Sequence, residues 1–538
     1  MIDGRDDGAT LRDGPDGGSV QQGAPSRSGR ILGAVGLGYV AQLVTVTVGL
    51  WLTPFLLRQL GATDYGLWLL ALQTMTYLGL LDLGVVALLP RETAFTVGRA
   101  ENGLPMQELS GLVGRTLAVV LCQLPIVAVV AVVVLLQLPT AWQPMQGPLC
   151  VIIGCFLFMF PLRTMHAVLQ GLQETPFLGR VSLLTWIIGT LCTIALVVAG
   201  FRLYAVAIGW AVSQVLSAFL WGRHLHTRFR GLLPARIPRV TRASLAHWLG
   251  SGVWVSVAQI AQVLLAGTDI FIIGKFLGPA AIVPYAVTGK LIAVLANQPQ
   301  IVMQAAQPAL SEVRASEGER HRLVRMTTAL SQLMLLISGL VFVVVLAVNE
   351  GFVSWWIGAP QYAGSLVTLG LLGSMLLRHW NTTAVYSLFA FGNERRIALT
   401  ALADGVVTVG VAAALVGSIG SLGAALGSVV GVLLVSLPQN LRALARDTGT
   451  TIRSTIRPLA NWSMRFIFVA VAADFLSRSW APRTAVALAM IASLVSMVYA
   501  LVMLPVCVVE PLGEYTLPRI RTVLARMPYI RSHFAQAR

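Results

Sequence analysis

Apolar runs of about twenty residues recur from residue 32 to residue 507, separated by short polar or glycine-rich turns. In helical form, about twenty apolar residues cross the hydrocarbon core of a bilayer. The pattern predicts fourteen spans, at 32–57, 67–90, 113–138, 149–171, 181–200, 204–222, 248–274, 282–310, 326–348, 364–391, 397–417, 422–441, 462–480 and 485–507. The chain therefore reads as an all-α polytopic membrane protein.

The stretch 50–92 sets the threading. Two apolar helices meet at a turn over 58–66, and the second ends in Leu-Leu-Asp-Leu-Gly before the charged step Arg91-Glu92. The turn recurs. PFLLRQLGATDYG at 54–66 matches IFIIGKFLGPAAIVPYA at 270–286 in having an apolar helix end, one basic residue, Leu-Gly, small residues and a tyrosine. Each copy opens a set of six spans, so the halves repeat in parallel, as transporter halves built around a shared cavity do. The division expected is a disordered tail at 1–31, a six-helix lobe at 32–222 and a basic linker at 223–247. A second six-helix lobe at 248–441 follows, then a linker with two additional spans at 442–507 and a basic tail at 508–538.

Composition agrees with this pattern. Only 11% of residues are charged and mean hydropathy is +0.77, where soluble chains carry about 25% charged residues. The net charge of +16 suggests nucleic acid until the bases are counted by side. With the N-terminus inside, 30 of the 38 Lys and Arg fall in cytoplasmic segments, five in outer turns and three within spans. That bias places both termini in the cytoplasm and accounts for the charge without nucleic acid. The five cysteines lie in apolar runs without CxxC or zinc spacing, so they read as small core residues and no metal site is expected. No P-loop, GxSxG, HExxH or dinucleotide fingerprint occurs, so neither an enzyme nor a cofactor is expected.

The 6 + 6 + 2 span pattern, LRQLGATDYGLW at 57–68 and YLGLLDLGV at 77–85 resemble the polysaccharide, or O-antigen, flippases of the multidrug/oligosaccharidyl-lipid/polysaccharide exporter superfamily. Leu60, Gly61, Asp64, Tyr65, Gly66, Leu80, Asp82, Leu83, Gly84 and Arg91 carry the match. The resemblance implies two lobes around a central cavity, often cationic. It also implies alternating-access transfer of an undecaprenyl-pyrophosphate-linked oligosaccharide between leaflets, among membrane lipids and polysaccharide-assembly proteins.

Ionisable residues inside spans are costly and point to function or to pairing. Arg378 lies mid-span beside His379, Trp380 and Asn381, too deep to snorkel, and is expected to contact pyrophosphate with His379 and Asn381 nearby. Arg163 is a second candidate for that contact, or a partner for Asp82 at similar depth. Lys290 and Asp269 make a parallel case, as head-group contact or as a pair within the second lobe. Asp404 is a candidate for H+ or Na+ coupling, with Asp82 and Asp269 serving coupling or lobe pairing.

The function expected is flipping of a lipid-linked oligosaccharide for cell-surface polysaccharide biosynthesis. Three alternatives stay open. A drug/cation antiporter would need an anionic cavity. A lipid II flippase would carry basic residues inside the first two spans, where this chain has none away from the ends. A non-transporting component of an assembly complex would need large outer loops.

Overall fold

The computed structural model describes residues 27–517 apart from 100–103, 235, 240–241, 298, 301, 304–305, 308–309, 311–319 and 480–483. The tails expected at 1–31 and 508–538 lie outside the described residues over 1–26 and 518–538. The described residues are helical and include no strand, as expected of a chain that satisfies its backbone hydrogen bonds inside lipid.

The first half runs through α1 (Arg27–Gly79), α2 (Val85–Gly98), α3 (Met106–Leu136), α4 (Gln146–Gly171), α5 (Thr175–Val198) and α6 (Leu203–Arg228). The second begins with α7 (Arg242–Ala266) and three short pieces: α8 (Thr268–Phe276), α9 (Ile282–Thr288) and α10 (Lys290–Leu295). It continues through α11 (Arg320–Trp356), α12 (Ser365–Ala390), α13 (Glu394–Ile419), α14 (Ser421–Gly431) and α15 (Leu437–Thr448). After α16 (Ile452–Ile456) come α17 (Ala460–Ser479) and α18 (Ala485–Val508).

Ten described helices are long and apolar enough to cross a bilayer, or eleven when 253–266 and 268–276, bent by 46°, count as one span. The fourteen expected are not reached by this measure, for identifiable reasons. Helix α1 joins the first two expected spans across a kink at Gly61. The expected span 282–310 is broken into short pieces, and α12 carries its polar patch at its centre. The expected span 67–90 is itself interrupted. Leu80–Asp82 forms a 3-10 turn, and Leu83 and Gly84 take φ of 50° and 72° before α2 begins.

The repeated turn has a shared backbone form. Gly61 has φ 81°, ψ 167° and Gly278 has φ 89°, ψ 163°, a region open to glycine and strained for other residues. The two turns pack together. A Cβ on Gly66 would fall 2.0 Å from the Pro279 carbonyl oxygen, so glycine permits the approach. Trp142 Nε1 donates to Gly274 O at 3.4 Å, Trp356 Nε1 donates to Leu50 O, and Tyr77 and Thr268 share a hydroxyl contact. These contacts join the halves away from the basic loops.

Close helix approach in the second half rests on small residues. A Cβ on Gly427 would lie 2.6 Å from Thr408 O and 2.8 Å from the Ala412 methyl, so α14 packs directly on α13. Helices α17 and α18 pack on α11 through a separate apolar cluster. Trp462 stacks on Phe466 with centroids 4.8 Å apart, and Tyr499 donates its hydroxyl to Leu336 O at 2.9 Å.

Candidate functional site

A cavity of about 960 Å³ lies between the halves. Its first-half wall includes Met75, Leu80 and Phe156, and its second-half wall includes Val255, Ala258 and Ile397. Most of its surface is apolar, with Thr76, Arg163, Gln214, Gln259, Gln262 and Glu394 as polar exceptions. A second cavity of about 770 Å³ adjoins it, walled by the first half and by Gln259 of α7. Arg163, Gln214 and Gln259 line both.

Arg163 is the hinge of this arrangement. It projects from α4 two residues after Pro161, whose carbonyl accepts the Thr164 hydroxyl at 2.7 Å. Its Nη2 lies 3.1 Å from Asp82 Oδ2, and its Nη1 reaches Gly79 O at 3.5 Å. The interrupted turn presents Asp82: the Gly84 N–H donates to Asp82 Oδ1 at 2.9 Å, and Gln123 Nε2 donates to the Asp82 carbonyl at 3.1 Å. The Asp82 side chain is 1% exposed and that of Arg163 36% exposed. The carboxylate is thus consumed by its partners, while the guanidinium keeps donors facing the cavity.

The other expected site residues are placed differently. Arg378 does not line either cavity. Its Nη1 lies 3.3 Å from Asp404 Oδ2, its Nε donates to Ser428 Oγ at 3.0 Å, and Asp404 also accepts from Thr408 at 3.0 Å and Ser436 at 2.5 Å. Arg378, expected to contact pyrophosphate, is paired with Asp404 across α12 and α13 in this structure, because α12 turns that face toward α13 and α14. Asp404, the coupling candidate, is held in the same pair. Ser436 ends a π turn, Val432–Ser436, just before Pro438, which turns its hydroxyl onto Asp404.

His379 bonds Ser338 at 2.7 Å, and Asn381 Oδ1 accepts from Asn440 at 2.9 Å, so both tie helices together outside the two cavity linings. The expected Asp269–Lys290 pair does not form. Asp269 accepts the Tyr285 hydroxyl at 2.6 Å, because breaks at Gly267 and Gly289 put the two charges on separate short helices. Lys290 lines neither cavity.

The linings hold two arginines, Arg91 and Arg163, and two carboxylates, Asp82 and Glu394, so a net cationic cavity is not what the geometry provides. It provides one directed guanidinium between an apolar and a polar chamber. Several polar-chamber residues escaped the sequence reading: Ser182, Thr185, Ser213, Ser217, Trp221 and Gln259. For Ser182, Thr185, Ser213 and Ser217 a signal was present, as hydroxyls three and four residues apart on α5 and α6.

Residues 142–359 match a family model described as polysaccharide biosynthesis protein. No curated protein matches the chain in sequence. Among solved structures, the fold is similar to the lipid II flippase MurJ in an inward closed conformation. That similarity has a TM-score of 0.60 at 11% identity, covering 86% of this chain and 97% of that one. It is also similar to an inward-facing multidrug resistance MATE family transporter of the MOP superfamily. There the TM-score is 0.51 at 14% identity, covering 78% of this chain and 99% of that one. The family match bears on polysaccharide biosynthesis over residues 142–359, and the solved structures show the fold.

Proposed function

From a multi-pass membrane chain with this fold and a polysaccharide-biosynthesis family match, we propose a flippase for an undecaprenyl-pyrophosphate-linked oligosaccharide. It acts across the bacterial inner membrane, with both termini cytoplasmic, for cell-surface polysaccharide biosynthesis. One observation carries this reading: Arg163 stands where an apolar cavity meets a polar one. An amphipathic cargo needs that sequence of environments. The isoprenoid-proximal portion is favoured against Met75, Leu80 and Phe156, the pyrophosphate against the guanidinium, and the glycan in the polar chamber. The lobes 32–222 and 248–441 rock about the turns at Gly61 and Gly278, opening the site at Arg163 first to the cytoplasmic and then to the outer leaflet.

The drug/cation antiporter is less well supported, because the buried carboxylate in the site, Asp82, is already neutralised by Arg163. The lipid II flippase differs in glycan rather than in chemistry, and the fold does not separate the two.

The test is a chromosomal deletion followed by leaflet-resolved analysis of undecaprenyl-linked sugars. Lipid-linked glycan is expected to accumulate on the cytoplasmic side, and purified protein in proteoliposomes is expected to restore its transfer. Absence of accumulation together with absence of transfer would sink the proposal.

A further inference from the structure

A third cavity, of about 420 Å³, lies apart from the two already described, where the α12–α13 turn meets the start of α15. Its side chains are those of Asn393, Arg395, Arg396, Leu399, Thr400 and Gln439, with no carboxylate among them. Arg395 and Arg396 stand at the end of α13 that the distribution of basic residues assigns to the cytoplasm. The cavity therefore lies at that membrane surface.

The charge of its two arginines is uncompensated. Arg396 Nη2 donates to Gln439 O, and the Arg395 guanidinium lies 4.8 Å from the centre of the Trp254 ring. Neither is ion-paired among the described residues. The neighbouring acids are engaged elsewhere. Asp447 pairs with Arg446 at 3.5 Å and accepts from Asn393 Nδ2 at 2.5 Å, and Glu394 lines the cavity between the halves. Arg395 is exposed, so an anion reaches this end from outside the protein.

An apolar track leads away from the cationic end. Leu399, Ala403, Val406 and Gly410 are exposed at spacings of four, three and four residues, which makes one stripe along α13. Leu399 is 46% and Val406 59% exposed, and seven residues of helix set them about 10 Å apart along the axis. Leu433 and Leu434 are exposed on the π turn that packs against α13. Apolar exposure is ordinary for a helix in lipid. Here it starts at Leu399, in the wall of a cavity that holds two unpaired arginines.

We propose that this cavity holds the headgroup of an anionic phospholipid of the surrounding leaflet, with its phosphate at Arg395 and Arg396 and an acyl chain along Leu399 and Val406. Guanidinium groups suit phosphate oxygens, and basic pockets between helices on the cytoplasmic side receive such headgroups. A free phosphate answers the charge and leaves the track uncovered. A zwitterionic lipid covers the track and brings its own cation to the arginines. The site is separate from the transfer path, so it stands or falls independently of the cargo.

The test uses the full-length protein in detergent, titrated with phosphatidylglycerol or phosphatidylcholine and read by native mass spectrometry, with size-exclusion profiles as the check on folding. Wild type is expected to hold its first phosphatidylglycerol about thirtyfold more tightly than phosphatidylcholine, as two arginines at about fivefold each supply. Arg395→Gln is expected to lose about fivefold of that preference, and Arg395→Gln with Arg396→Gln nearly all of it. Arg396 also holds Gln439 O, so the single variant decides the matter if the double variant fails to fold. Arg453→Gln with Arg457→Gln removes two exposed arginines elsewhere on the same side and is expected to change nothing. Glycerol phosphate in large excess, a headgroup without chains, is expected not to displace the lipid.

A preference that survives Arg395→Gln intact overturns the site, as does one that the Arg453 and Arg457 control loses equally. Equal retention of the two lipids by wild type overturns the recognition of anions. Displacement by glycerol phosphate overturns the lipid in favour of a free phosphate ester.

Discussion

Arg163 can be separated into its two roles by a double-mutant cycle with Asp82. Arg163→Gln leaves a carboxylate that is 1% exposed with the Gly84 N–H as its remaining side-chain partner. Stranding a buried charge costs about 3–5 kcal/mol, and the lower end applies because the 36% exposed Arg163 side chain lets water approach. Asp82→Asn keeps an acceptor for Gly84 and releases a guanidinium that the cavity can hydrate, at about 1–2 kcal/mol. The double variant removes both charges. It is expected to cost no more than about 2 kcal/mol, which gives a coupling of about 2 kcal/mol between the sites. Thermal unfolding of purified protein should therefore rank wild type first, then Asp82→Asn and the double variant, with Arg163→Gln last. Transfer of lipid-linked glycan in proteoliposomes should follow a different order. Asp82→Asn stays active, while Arg163→Gln and the double variant are both inactive at matched amounts of folded protein. If activity returned with stability in the double variant, Arg163 would merely neutralise Asp82 and the head-group role would be refuted.

Further outcomes are expected elsewhere. Arg378→Leu should lose about 3–5 kcal/mol by stranding the fully buried Asp404, and Arg378→Leu with Asp404→Leu should recover folding and transfer. A folded but inactive double variant, judged by size-exclusion profile and proteoliposome assay, would return Arg378 to the cargo. Gly427→Leu should cost at least about 1–3 kcal/mol and lower membrane abundance, because its Cβ meets the α13 backbone at Thr408 O at 2.6 Å. Tyr499→Phe should lower the unfolding midpoint by the equivalent of about 1–2 kcal/mol, since Leu336 O loses a buried donor. Arg202→Ala should shift it by no more than about 1 kcal/mol, because Arg202 is 72% exposed in its pair with Asp64. A larger loss would show that this pair holds the first turn in place.

Much of the molecule is written in one dimension. Spans follow from apolar length, because a helix must match the bilayer to satisfy its backbone. The repeated turn was legible from Leu-Gly followed by small residues, since Gly61 and Gly278 share a backbone region that other residues enter only with strain. Depth also sufficed to nominate Asp82 with Arg163, which the structure places 3.1 Å apart. The interruption at Leu80–Asp82 was visible only as a Leu-Leu-Asp-Leu-Gly run, and its left-handed exit at Leu83 and Gly84 emerges from the fold.

Depth does not determine facing, and that is where tertiary structure decided the site. Arg378 and Arg163 are both single cations inside apolar spans. Helix rotation and neighbour packing turned Arg378 onto Asp404 and Arg163 into the space between two cavities. Asp269 and Lys290 stand 21 residues apart, and helix breaks, invisible to hydropathy, sent Asp269 to Tyr285. Trp221 and Gln259, separated by 38 positions and lying in different halves, line one chamber only because α2 and α7 meet. The sequence by itself determined membrane class, most of the apolar helices, the repeated turn and the kinds of group buried in lipid. Hydropathy reports how deep a residue lies, and a residue's azimuth about its helix depends on side chains from distant parts of the chain. The identity of the cavity wall therefore belonged to the tertiary structure alone.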